Sequence, residues 1–161
     1  MKEVKQITFE KRAKDDFETF CKALNKQDET KKFSGLIWKN YKDGVIFGDN
    51  THLTFLKDSF MVSARPDCYA LGQIFDNAYK SLDEYEEATF TRGTTPYHKK
   101  TLKVVGRKNT AYLNEALVGD IPKGSKFYVL KHNYPVLIVY NDEIIKVVLP
   151  FIGCDDKFKE A

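Results

Sequence analysis

Between Lys126 and Pro150 the chain offers three runs of β-forming residues separated by little more than turn signals. They are Lys126–Lys131, Pro135–Tyr140 and Glu143–Pro150, with Asn133 and the Asn141-Asp142 pair marking the turns. Ahead of them, Leu113, Ala116 and Leu117 stand at i, i+3, i+4 spacing. With Thr110 as the cap, that spacing predicts a short helix over 110–118, ended by Asp120, Pro122 and Gly124. Residues 109–152 therefore read as one helix followed by a three-stranded meander.

The chain before this stretch repeats the theme. Gln6–Glu10 reads as a first strand. Phe17, Phe20, Cys21 and Leu24 make a single apolar stripe and predict a helix over Ala13–Asn25. Asp15 and Asp16 in its first turn, with Lys22 and Lys26 late, suit the helix dipole. A meander follows: Phe33–Tyr41, Val45–Gly48, Thr51–Leu56 and Phe60–Ala64, with turns at Lys42-Asp43-Gly44, Asp49-Asn50 and Lys57-Asp58-Ser59. Leu71, Ile74, Phe75, Ala78 and Leu82 keep helical spacing and predict a helix over Tyr69–Leu82. Ala88–Arg92 and the basic run Lys100–Val105 are the remaining strand expectations, joined by the loop Gly93-Thr94-Thr95-Pro96.

Set side by side, the two ends share a pattern. Strand 6–10, helix 13–25 and the strands within 33–64 are echoed by strand 100–107, helix 110–118 and the strands within 126–150. The expected fold is thus α+β: a duplicated β-α-β-β-β unit forming an antiparallel sheet with both helices on one face. A chain of 161 residues has length for one domain. Its first unit would span about 5–65, an intervening helix and loop 66–98, and the second unit 99–152.

Charge adds a direction. The net charge of +3 is small, but its distribution is uneven. Lys11, Arg12, Lys14, Lys22, Lys26, Lys31 and Lys32 fall in one cluster, and Arg92, Lys99, Lys100, Lys103, Arg107 and Lys108 in another. An acidic run, Asp83-Glu84-Tyr85-Glu86-Glu87, lies between them. Cys21, Cys68 and Cys154 are odd in number and far apart, which argues for free thiols in a reducing compartment and against a zinc site. No apolar run approaches the ~20 residues of a membrane span. The polar start, Met-Lys-Glu-Val-Lys-Gln, does not resemble a signal peptide, so the expected location is cytoplasmic.

Several segments resemble the bacterial DNA polymerase III beta sliding clamp family. Asn109-Thr110-Ala111-Tyr112-Leu113-Asn114-Glu115-Ala116-Leu117, Pro135-Val136-Leu137-Ile138-Val139 and Lys146-Val147-Val148-Leu149-Pro150-Phe151 resemble the family's last domain. Gly35-Leu36-Ile37, Lys42–Asn50 and Leu53-Thr54 resemble the strand, Asp-Gly, strand pattern of its first motif. Tyr69–Tyr97 matches least. The family's subunit holds three such domains, whereas this chain has length for one, as a compact phage or mobile-element protein would. The resemblance implies a sequence-independent double-stranded DNA-binding or processivity factor in replication. It would assemble as a homo-oligomer and work with a polymerase or another replication protein. Lys11, Arg12, Lys14, Lys22, Lys26, Arg107 and Lys108 would then meet the DNA backbone.

Catalytic motifs are absent from the chain. His52, His98 and His132 are separate, and there is no Gly-x-Ser-x-Gly, His-Glu-x-x-His or phosphate-binding glycine loop. Neither a cofactor nor a metal is expected, and the chain reads as a non-enzyme. The most site-like segment is the Arg92–Lys100 loop, where Arg92, Thr94, Lys99 and Lys100 could hold a phosphate. Small size, mixed charge and 14% aromatic residues also fit an alternative: a phage-type interaction protein that binds and inhibits a host replication or defence protein.

Overall fold

A computed structural model describes residues 37–48, 51–58, 69–96, 99–131, 134–151 and 157–161. The strands expected at 6–10 and 60–64 and the helix expected at 13–25 lie outside the described residues. The first three strands are β1 (Ile37–Tyr41), β2 (Gly44–Gly48) and β3 (His52–Lys57). Helix α1 (Tyr69–Ser81) and a 3-10 turn (Leu82–Glu84) follow. Then come β4 (Glu86–Thr94), β5 (Thr101–Val105), β6 (Thr110–Asn114) and the one-turn helix α2 (Glu115–Val118). The chain ends with β7 (Lys126–Val129), β8 (Val136–Tyr140), β9 (Glu143–Val148) and the short β10 (Lys159–Glu160).

The class is α+β, with a largely antiparallel sheet ordered β1-β2-β3-β9-β8-β7-β4-β5-β6 and β10 beside β4. The two tight hairpins fall where turn residues stand. Lys42 and Asp43 join β1 to β2, and Asn141 and Asp142, both at positive φ, join β8 to β9. Short polar side chains tolerate that left-handed backbone, and two such residues match the twist of the flanking strands.

Strands β8 and β9 are apolar on both faces, and each face belongs to a different core. Leu137 and Val139 of β8, with Ile144 and Val147 of β9, meet Leu71, Phe75 and Ala78 of α1 together with β2 and β3. Val136 and Ile138, with Ile145 and Val148, meet Leu102 and Val104 of β5, Leu113 of β6, Val118 of α2 and Phe127 and Val129 of β7. A register shift at Ile138/Val139 places Ile145 as an extra residue in β9.

The second core exists because the sheet curls back on itself. Beyond β9 the chain leaves β3, where the Leu149 amide donates to the Thr51 carbonyl at 2.9 Å. Two residues on, the Phe151 amide donates to the Tyr112 carbonyl of β6 at 2.8 Å. The strand path β9-β8-β7-β4-β5-β6 is thereby closed into a small barrel, with β1, β2 and α1 layered on its flank.

One expectation is overturned in this half. Residues 110–114 form a strand, not the first half of a helix, and only Glu115–Val118 is helical. Pairing decides it: five residues of β6 lie opposite β5, from Thr101↔Asn114 to Val105↔Thr110. Leu113 then points into the barrel by strand alternation, with Ala111 packed on the same core. The cap moves accordingly, from Thr110 to Asn114, whose side chain accepts from the Ala116 amide at 3.0 Å. The two described helices pack against different cores; the helix over 13–25, expected to share a face with that of 110–118, lies outside the described residues. Helix α1 stands where the spacing predicts it, except that Ile74 is left 40% exposed.

A candidate nucleic-acid interface on the barrel

From Ala88 to Asn114 the chain carries Arg92, Lys99, Lys100, Lys103, Arg107 and Lys108 and no carboxylate. The fold turns this stretch into β4, β5 and β6, one three-stranded wall of the barrel. Alternation divides its side chains. Leu102 and Val104 point inward, leaving Lys103 on the outer face opposite Thr91 and Tyr112. Lys99 and Lys100 lie exposed at one end of β5, and Arg107 and Lys108 lie exposed at the other. At ~3.3 Å per residue, Lys100 and Arg107 stand about 20 Å apart. The cations therefore flank β5 at both ends, with Lys103 between them.

The Arg107–Lys108 end is a tight hairpin tip, closed by the Gly106 amide donating to the Asn109 carbonyl at 2.8 Å. Glu86, at the start of β4, reaches across beneath it. Its Oε1 accepts from the Asn109 amide at 2.7 Å, the Lys108 amide at 2.9 Å and the Asn109 side-chain amide at 3.3 Å. Its Oε2 takes the Lys108 amide at 3.1 Å. The Lys108 amide first, and then those of Asn109 and Arg107, hold this carboxyl below the usual carboxylate range, outweighing the opposing effect of desolvation. A Cβ at Gly106 would run into the Glu86 carboxylate and a Val129 methyl, so a side chain there would push Glu86 off the turn.

The Lys99–Lys100 end is built differently. Thr95 and Thr101 are buried and place their hydroxyls 3.4 Å apart across the loop. Arg92 ends the strand expected over Ala88–Arg92, and Thr94, expected in the loop, also belongs to β4. Arg92 faces the barrel mouth, where its Nε meets Glu115 Oε1 at 2.8 Å and its guanidinium lies 5.4 Å from the Phe90 ring centre. Arg92 is thus engaged with α2, while Lys99 and Lys100 project from the loop that follows.

The C-terminal residues complete the outer face. Phe158 packs on Tyr112, with ring centres 5.7 Å apart, and Lys103 Nζ lies 5.8 Å from the Phe158 ring centre. β10 pairs with the end of β4 through Lys159↔Thr94. Gly93 lets Phe158 and Lys159 come this close, because a Cβ there would meet both.

Of the residues expected at a DNA interface, Arg107 and Lys108 sit together at one hairpin tip; Lys99 and Lys100, expected in a separate phosphate-holding loop, stand at the opposite end of the same strand. Lys11, Arg12, Lys14, Lys22 and Lys26 lie outside the described residues. Lys103 and Glu86 join the site unforeseen. Strand alternation within 101–105 carries a signal for Lys103, whereas nothing local to Glu86 marks its tie to a turn over twenty residues away.

Among the described residues no group of three or more His, Cys, Asp or Glu is placed to hold a metal ion, and no helix is long and apolar enough to cross a membrane. No family model, curated protein or solved structure matches the chain.

Proposed function

We infer that this protein binds double-stranded DNA without reading its sequence, using the outer wall of the barrel. One observation carries the reading: a carboxylate-free stretch folded so that Lys99, Lys100, Arg107 and Lys108 flank β5 at both ends, with Lys103 between them. Cations in a row of about 20 Å match the phosphate backbone of roughly six base pairs at 3.4 Å per step, and such contacts carry no base information. The role is non-catalytic. A processivity function, with several copies of the chain around a duplex, extends this reading and rests on the clamp resemblance alone.

Fluorescence anisotropy with two unrelated labelled 20-base-pair duplexes tests it. The two affinities should agree, and log affinity should fall linearly with log salt, by about 0.9 per phosphate neutralised. Replacing Lys99, Lys100, Lys103, Arg107 and Lys108 together by Ala should flatten that slope toward zero. Absence of duplex affinity in low salt ends the proposal. Mass measurement in solution with and without duplex tests the ring extension, which a monomer in both conditions would eliminate.

A protein-docking role is the competing reading, and Phe90 favours it. This residue is 41% exposed, backed by Phe127 at 5.1 Å between ring centres and flanked by Arg92. Exposed aromatic and Arg side chains are typical anchors of protein interfaces. A Phe90→Ala variant with unchanged DNA affinity, but loss of a stoichiometric bacterial protein partner, would select docking.

A further inference from the structure

We propose that Glu86 is the positioning residue of the DNA interface, holding the Gly106–Asn109 turn in the shape that presents Arg107 and Lys108 to successive phosphates. The inference rests on the duplex-binding reading above and adds to it a carboxylate that favours binding by an anion. On charge alone, Glu86 beside two interface cations should only weaken attraction for phosphate.

The geometry points the other way. A four-residue hairpin tip leaves its backbone amides directed inward with no strand partner. Here one carboxylate gathers them: the amides of Lys108 and Asn109 and the Asn109 side chain lie within 3.3 Å of Glu86 Oε1. Glu86 is anchored in turn, because β4 pairs with β7 through Glu86↔Val129. The tip is therefore tied to the start of β4, which β7 holds, and not only to its own two strands. Side chains on a tied backbone lose less freedom when they meet phosphate, so each contact yields more net affinity. The contact is also one-sided in chemistry. Oε1 takes most of the donors, so a Gln side chain retains that oxygen, while an Ala side chain retains none.

Three variants separate positioning from charge: Glu86→Gln, Glu86→Ala and Glu86→Asp, each titrated with the labelled duplex across a salt series. Positioning predicts that the Gln variant binds at least as tightly as the parent. It predicts that the Ala variant binds about three- to tenfold more weakly although it has lost a negative charge, with a salt slope shallower by about one. The Asp variant carries the parent's charge on a side chain one methylene shorter, so a loss there is geometric only. It also serves if the Ala variant fails to fold. The Asn109 amide shift should move in the Ala and Asp variants and stay near its parent position in the Gln variant, whose NH2 replaces only the Oε2 that shares the Lys108 amide. If Ala binds as tightly as Gln, or Asp as tightly as the parent, the positioning role is overturned while duplex binding stands. If the parent itself does not bind duplex, the underlying reading has failed, and the NMR shifts alone then report on the tie between Glu86 and the turn.

Discussion

The two cores share strands β8 and β9 yet are built on different principles. On the α1 side, a helix lies across β2, β3, β8 and β9, and aromatic rings dominate: Tyr41, Phe55 and Phe75 pack with ring centres 5.7 to 6.4 Å apart. The Ile144 amide donates to the Tyr79 hydroxyl at 2.9 Å, tying helix to sheet. Charges there are mixed, with Lys39, Lys42, Lys57 and Lys80 set against Asp43, Asp58, Asp76, Asp83 and Glu84. On the barrel side no long helix among the described residues covers the core. β5 and β6 curl over it, and their outer face is left with cations alone between Ala88 and Asn114. One side pairs its charges internally, and on the other Lys99, Lys100, Arg107 and Lys108 are exposed among the described residues, with Glu86 tied to the turn beside the last two. That contrast locates the candidate interface on the barrel.

Core truncations probe the contrast most strongly. Phe75 is fully buried on α1, and Phe75→Ala should cost about 4 kcal/mol in urea unfolding. Leu113, equally buried in β6, should cost about 3 kcal/mol as Leu113→Ala. Duplex affinity after correction for folded fraction should fall only in the second case, because Leu113 supports the wall that carries the interface cations. Equal effects on affinity would erase the distinction between the two sides.

The two sides should also fail at opposite ends of the pH scale. The Tyr41 hydroxyl donates to Asp76 Oδ1 at 2.6 Å. Burial first, and then that bond and the Asp76 charge, push its ionisation above the ordinary phenol range. A raised folded value means a contribution present below the unfolded pKa of about 10 and lost as pH rises toward the folded one. Tyr41→Phe should cost ~1 kcal/mol at neutral pH and flatten the alkaline limb of the stability curve. Glu86 has the reverse sign. Its lowered value gives a contribution present above the ordinary carboxylate range and lost as pH falls through the folded value. Glu86→Gln should therefore flatten the acid limb while leaving the alkaline limb untouched, as thermal melts from pH 2.5 to 11 would show.

The smallest effect concerns the barrel mouth. Arg92 is 66% exposed in its ion pair with Glu115, so a double-mutant cycle on the two should give a coupling of about 0.5 kcal/mol, weakened by salt. A coupling several times larger would mean that α2 is held mainly by this pair and not by Val118 in the core.

The helix-covered side was legible from the sequence. Leu71, Phe75 and Ala78 at helical spacing mark α1 with the face that it buries, and the turn pairs Lys42-Asp43 and Asn141-Asp142 fall where the hairpins close. The barrel was not, and residues 110–118 show why. Leu113, Ala116 and Leu117 satisfy helical spacing, but Ala111 and Leu113 equally satisfy strand alternation with Tyr112 on the opposite face. Short windows with two valid periods are settled by what lies alongside them, here the five paired residues of β5. The site followed the same division. Arg107, Lys108, Lys99 and Lys100 stand out as charges in the sequence, while their alignment along one strand and the grip of Glu86 on the turn depend on pairings distant along the chain.

By itself, then, the sequence determined the positions of the tight turns, the apolar runs of β8 and β9 and the carboxylate-free stretch, because each is written in neighbouring residues. The tertiary structure alone decided that 110–114 is a strand, that Phe151 meets Tyr112 to close a barrel, and that a carboxylate sits under a cationic turn. Hydrogen-bond partners in a sheet are set by strand order, and no local preference among five residues outweighs a full ladder of pairings.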